Sequence, residues 1–132
     1  MFNFFRRFAS KPAPEPEPEP ADAAAFNKRG VRRIREGRRD EARADFEAAL
    51  ALDSRCAPAL MNLGNLAFEG GDAAEAVRMY ESAIEADPEY PLVHANLASA
   101  YKKLGRYDDA VRAMRRASKL EGRPRRKPSR RT

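Results

Sequence analysis

A 34-residue period constrains this chain more than any other feature of its sequence. Gly30, Gly64 and Ala98 fall at that spacing, as do Gly37, Gly71 and Gly105. So do the sets Ala42, Ala76 and Ala110; Phe46, Tyr80 and Met114; and Ala49, Ala83 and Ala117. Because five sets align without a gap, residues 23–122 consist of three copies of one unit, 23–56, 57–90 and 91–122. A unit of this length cannot bury its apolar face alone; it must stack on its neighbours, and three copies are about the minimum that is stable.

Each unit carries two helical stretches of about 14 residues on either side of a glycine turn. The turns are Gly37-Arg38-Arg39, Gly70-Gly71-Asp72 and Gly105-Arg106. Glycine there supplies the left-handed conformation that ends the first helix. Small residues at Gly64, Ala76, Ala83, Ala98, Ala110 and Ala117 let helix backbones approach closely. The large residues Leu60, Leu63, Phe68, Tyr80, Ile84, Leu97, Tyr101, Leu104, Tyr107 and Met114 are expected to fill the volume between them. Asp87-Pro88 breaks the chain between the second and third units, since proline lacks the donor a continuing helix needs. No further helical stretch follows the third unit, so Arg112, Arg115, Arg116 and Lys119 are expected to form its polar cap.

These spacings resemble the tetratricopeptide repeat, whose signature sets a large residue, Leu-Gly, an aromatic, Ala, an aromatic, Ala and Pro at fixed offsets in 34 residues. The second unit carries Leu60, Leu63-Gly64, Ala76, Tyr80, Ala83 and Pro88. The third keeps Leu97-Ala98, Tyr101, Ala110, Met114 and Ala117, with His94 where a large apolar residue is usual. The first keeps Phe26, Gly30, Ala42, Phe46 and Ala49, but Arg29 and Arg33 stand at positions usually apolar and Ser54 replaces the proline. The resemblance implies an all-α, right-handed solenoid of three helix-turn-helix repeats, six antiparallel helices in all.

It also implies a concave groove lined by first-helix side chains, where such proteins commonly bind a peptide or helix of a partner protein. The groove positions fall on Asn27, Lys28, Val31, Ile34 and Arg35 in the first unit. In the second they fall on Met61, Asn62, Asn65, Phe68 and Glu69, and in the third on Ala95, Asn96, Ser99, Lys102 and Lys103. Asn62 and Asn96 share one register, and a side-chain amide can donate and accept at once, which suits an extended peptide backbone. This looks like the asparagine ladder of O-linked N-acetylglucosamine transferases, with Lys28 where a third rung would stand. The carboxylate clamp of co-chaperones is matched only by Asn62; Asn27, Val31, Leu92 and Asn96 occupy its other four places.

Two segments flank the repeats. Residues 12–20 alternate proline with glutamate or alanine, a polyproline-II spacer within a linker of residues 12–22. Before it, Met1, Phe4, Phe5 and Phe8 lie on one face of a helix with Arg6 and Arg7 beside it, so residues 1–11 are expected to dock on a membrane surface or in a protein groove, with a terminus of no special role as the plain alternative. After Gly122, a tail of residues 123–132 holds six basic residues and no acid, which accounts for the whole net charge of +6. Residues 1–121 carry 20 charges of each sign, a poor electrostatic trap for nucleic acid. The tail adds no aromatic to stack on bases, so dedicated nucleic-acid binding is not expected. Charge is banded along the units, +3, −6 and then +4 over residues 91–121. Neutralisation between neighbouring units is the plain expectation, with self-association as the alternative.

Catalysis is not expected. One cysteine, Cys56, and one histidine, His94, cannot assemble a typical structural zinc site, and no phosphate loop or nucleophile elbow is present. No cofactor or metal is expected, and the lone thiol suits a reducing compartment. No apolar run is long enough to span a bilayer. The expected protein is a cytoplasmic, non-enzymatic adaptor, peripheral to the membrane if residues 1–11 anchor it there.

Overall fold

The structure, a computed structural model, describes residues 12–123. Six helices follow one another: α1 (Ala23–Arg35), α2 (Arg39–Leu52), α3 (Ala57–Glu69), α4 (Ala73–Ala86), α5 (Pro91–Lys103) and α6 (Tyr107–Glu121). First helices thus begin at 23, 57 and 91, one period apart. Each pair is a helical hairpin, and second helices pack on the first helix of the next unit, giving an all-α stack of three repeats.

Local chemistry sets the helix ends. The Asp22 carboxylate accepts from the Ala25 amide at 2.8 Å and starts α1; Asp72 does the same for α4 through Glu75 at 3.0 Å. Gly37, Gly71 and Gly105 have φ of 77°, 89° and 75°, the left-handed region the turns require. Just past each glycine, the amides of Arg38, Asp72 and Arg106 reach back to the carbonyls of Arg33, Ala67 and Tyr101 at 2.9 Å, closing each first helix. Pro58 and Pro91 sit in the first turns of α3 and α5, where no donor is lost.

Two apolar clusters run through the stack. One joins units one and two through Phe46, Ala49, Cys56, Ala59, Leu63 and Leu66. The other joins units two and three through Leu60, Val77, Tyr80, Val93, Leu97 and Tyr101. In the first two units the aromatic of the second helix lies against the glycine of its own first helix. A Cβ on Gly64 would come within 2.5 Å of the Tyr80 ring, and one on Gly30 within 2.5 Å of the Phe46 ring. His94 is buried and donates from Nε2 to the Pro88 carbonyl at 3.0 Å, a packing residue as its place in the unit suggests.

Arg29 and Arg33, out of place against the repeat pattern, are matched by a third departure. Asp45 on α2 is buried, accepting from Arg29 Nε and Nη2 at 3.1 and 2.8 Å and from Arg33 Nη1 at 2.9 Å. The hydrogen bond to Asp45 raises the pKa of the Arg29 guanidinium above its ordinary value. In unit two the same three positions are Leu63, Ala67 and Met79. Unit one therefore builds with an ionic triad what unit two builds from apolar contacts.

Three expectations need correction. Leu104, Tyr107 and Met114 do not fill the core; they are exposed, because nothing in the described residues lies over α6 as α5 lies over α4. Of the expected cap residues, Arg112, Arg115 and Lys119 lie beside that face and the half-buried Arg116 lies away from it, so together they leave it uncovered. Charge bands are not neutralised mainly between units: Arg39–Glu69 is the one ion pair joining helices of different units among the described residues. The others stay local, such as Arg78–Glu75 and the Arg106–Asp109–Arg112 chain. Finally, the spacer does not simply project outward. Glu19 pairs with Arg29 at 3.4 Å and Glu17 with Arg32, so residues 17–19 run back along α1 as an acidic strap.

Candidate functional site: the first-helix face

Three first helices side by side bring α1, α3 and α5 onto one surface, and the asparagines of that surface meet across unit boundaries. Asn62 Nδ2 donates to Asn27 Oδ1 at 2.9 Å, linking α3 to α1. Asn96 Nδ2 donates to Asn65 Oδ1 at 3.0 Å, linking α5 to α3. The rungs are therefore inter-unit pairs rather than two free amides in one register. Each such bond is worth about 1 kcal/mol net. A primary amide has two donors and two lone pairs, so each pair retains hydrogen-bonding capacity for a backbone laid across it.

Beside the second rung lies a hollow of about 140 Å³ lined by Asn65, Phe68, Glu69, Tyr80, Asn96 and Ser99. The Tyr80 hydroxyl donates to Asn65 Oδ1 at 2.5 Å, so Asn65 holds the phenol and the neighbouring asparagine together. Phe68 supplies an apolar wall and Glu69 a charged rim, the latter held from outside by Arg39 at 2.6 Å. A partly apolar hollow with convergent amide and hydroxyl groups can seat one side chain of a bound segment.

Burial, with the Glu69 carboxylate adding to it, pushes the Tyr80 phenol from 10.0 up to about 12. The folded state thus holds this proton more tightly than the unfolded chain. The resulting stabilisation, on the order of 2–3 kcal/mol, is complete below pH 10 and is lost as the pH rises through about 12. In a titration of phenolate absorbance, subtracting Tyr80→Phe from the unchanged chain should leave a transition near pH 12. A difference transition at pH 10 would contradict the buried phenol. Tyr101 is raised too, by burial and then by its hydrogen bond to Glu81 at 2.9 Å.

Of the groove residues expected from sequence, Asn27, Asn62, Asn65, Phe68 and Asn96 are partly accessible, and Asn65, Phe68, Asn96 and Ser99 line one hollow. Val31, Ile34 and Ala95 are partly accessible as well. Lys28 and Arg35 on α1, and Lys102 and Lys103 on α5, are exposed. Met61 is a correction: it is buried in the cluster around Leu60 and Tyr80, and contributes to the core rather than to an open surface. Tyr80 was missed as a surface residue, since its period marks it as core and only its hydroxyl reaches the hollow. Phe4, Phe5, Arg6, Arg7 and Phe8 lie outside the described residues. Among the described residues no group of His, Cys, Asp or Glu could hold a metal ion, and no helix is long and apolar enough to cross a membrane.

Two family models, both described as tetratricopeptide repeat, match residues 27–91 and 67–126. The chain is 34% identical over 58 residues to small glutamine-rich tetratricopeptide repeat-containing protein 2 of Mycosarcoma maydis, covering 44% of this chain and 16% of that protein. It is 35% identical over 66 residues to cellulose synthase 1 operon protein C of Komagataeibacter xylinus, covering 50% of this chain and 5% of that protein. The chain thus spans a small part of either curated relative. The crystal structure of MamA shares the fold with a TM-score of 0.70 at 24% identity, over 78% of this chain and 60% of that one. The second repeat domain of Spaghetti (RPAP3), bound to the HSP90 peptide SRMEEVD, does so with a TM-score of 0.71 at 22% identity, over 76% and 93%. At these identities the structural likeness is one of fold.

Proposed function

The chain belongs to the tetratricopeptide repeat family, and from that premise we propose that it is a non-enzymatic adaptor that holds a segment of a partner protein along its first-helix face. The observation that carries this reading is the line of amides Asn27–Asn62 and Asn65–Asn96, with the hollow between Phe68, Tyr80 and Ser99 beside it. Amides spaced along a face can meet successive backbone groups of an extended chain, and the hollow seats one of its side chains. Two structures of the same fold hold the HSP90 peptide SRMEEVD, which supports a peptide as the class of occupant. Asn27, Val31, Leu92 and Asn96, standing in the places of a carboxylate clamp, turn the reading away from capture of a chain's terminal carboxylate. Lys28 and Arg35 at one end of the face and Lys102 and Lys103 at the other favour acidic residues towards both ends of the bound segment.

The test is a double substitution, Asn62→Ala with Asn96→Ala, in the full chain. Proteins captured from native lysate, quantified by mass spectrometry, should fall about tenfold to thirtyfold, the loss expected for two hydrogen-bonding groups of about 1 kcal/mol each. The thermal midpoint should fall by roughly 10 °C, because the two inter-unit bonds of about 1 kcal/mol each go with the amides, so capture is compared well below both midpoints. Undiminished capture by a folded double variant would remove the groove from the account.

A further inference from the structure

The two ends of the stack are finished differently. At the first end, unit two shows what an interior boundary looks like: Ala59, Leu63 and Leu66 are buried against unit one. The same positions in unit one are Ala25, Arg29 and Arg32, and the acidic strap lies on them through Glu19–Arg29 and Glu17–Arg32. That end is polar and ion-paired, with Arg29 largely shielded and Arg32 half exposed. At the other end, Tyr107, Val111 and Met114 form one stripe of α6, at i, i+4 and i+7. They are 64%, 48% and 49% exposed. Their counterparts on α4, one period earlier, are Ala73, Val77 and Tyr80, which are 7%, 6% and 2% exposed, the last two in the cluster with α5. The residues chosen for the open end are apolar at the positions that an interior unit buries beneath a helix.

Charge selects the occupant. Arg112, Arg115 and Lys119 run along one side of the stripe with Asp108 among them, Arg112 is tied to Asp109, and Glu121 is the one acid of α6 on the other side. On the other side, the residue of α5 that corresponds to Asn65, the acceptor from the next first helix, is Ser99, with exposed Lys103 a turn further on. The α5–α6 unit carries a net +4 over residues 91–121. A second copy meeting this face through its own would set two such units against each other. Residues 1–14 of this chain carry Arg6, Arg7 and Lys11 and no acid, so that apolar segment is repelled as well. Head-to-tail stacking would have to displace the strap. We infer that the Tyr107–Val111–Met114 stripe docks an amphipathic helix of a different protein, apolar along one face and acidic on its flanks, which completes the stack as α5 completes unit two. This surface is separate from the first-helix face and stands whether or not that face binds a peptide.

Two synthetic peptides the length of α5, 13 residues, test it. They share one apolar stripe at i, i+4 and i+7, flanked in one by glutamates and in the other by lysines. Fluorescence anisotropy against the full chain at low salt should show the glutamate-flanked peptide binding at least about tenfold more tightly, with the gap narrowing as salt is raised. Val111→Lys, at an exposed position that tolerates charge, should abolish binding. Arg115→Glu with Lys119→Glu should reverse the preference, and Asn62→Ala with Asn96→Ala should leave it unchanged. Equal binding of the two peptides, binding of neither, or full binding to Val111→Lys overturns the inference. So does a dimer of the chain alone that Val111→Lys dissociates, which gives the face to a second copy. Protection of residues 107–114 from hydrogen exchange that Phe4→Ser with Phe5→Ser removes would give it to the chain's own first residues.

Discussion

Replacing Asp45 with alanine should cost about 3–5 kcal/mol of folding stability, although the residue stands where the repeat pattern asks for no charge at all. The carboxylate is 2% exposed and accepts from Arg29 and Arg33, whose side chains are only 13% and 15% exposed. Without it, two largely shielded guanidinium groups remain beside each other with only the exposed carboxylates of Glu19 and Glu41, at 3.4 and 3.7 Å, to offset them. The complementary experiment replaces the whole triad with what unit two uses there: Arg29→Leu, Arg33→Ala and Asp45→Met, after Leu63, Ala67 and Met79. That triple variant should be neutral or more stable by about 1–4 kcal/mol, because ionic groups in such places recover little beyond their own desolvation. Arg33 Nε illustrates the shortfall, buried without a hydrogen bond and 3.7 Å from the Glu41 carboxylate. Urea unfolding of the single and triple variants decides it. A loss below about 1 kcal/mol for Asp45→Ala, or a triple variant as weak as the single, would refute the triad as a matched set.

Tyr80→Ala should be of similar size, about 3–5 kcal/mol, since it empties a site in the middle of the second cluster. The more telling result concerns its neighbour. Gly64→Ala should destabilise by about 1–3 kcal/mol, because the new Cβ meets the Tyr80 ring at 2.5 and 2.7 Å. The ring has little room to yield: it is buried, and its hydroxyl is held by Asn65. In the Tyr80→Ala background that obstacle is gone, and the same substitution should instead stabilise by up to about 1 kcal/mol, the helix propensity of alanine over glycine. Additive effects of the two changes would mean that the close approach of α3 and α4 is not what keeps glycine at position 64.

The sequence carried the repeat to the residue. The spacing of Gly37, Gly71 and Gly105 placed the turns, and the pairs Gly30–Phe46 and Gly64–Tyr80 already hold the close approach of two helices. Periodicity reports which face of a helix is apolar; it does not report what stands opposite. Met114 therefore read as core, because its position is core wherever another unit follows. Arg29 and Arg33 read as decay of the pattern, because their meaning lies in Asp45, whose acidic side chain is unremarkable until it is set against Met79 and Ala113 at the same place in the other units. Comparing all three departures across the period, rather than each against the signature, was the signal available. The asparagines were found by position, but their pairing across units was not, since Asn27 and Asn65 sit in different registers. Nothing in an alternation of proline and glutamate says that Glu17 and Glu19 turn back towards α1; that depends on Arg32 and one nitrogen of Arg29 offering donors at the first end.

A stack closed at one end and open at the other has a direction of growth. A further unit joined after Gly122 meets Tyr107, Val111 and Met114 already in place and apolar. One inserted ahead of Ala23 would have to displace the glutamates and bury Arg29 and Arg32 without them. Lengthening of this array, by duplication or by design, is therefore easy in one sense of the chain and costly in the other.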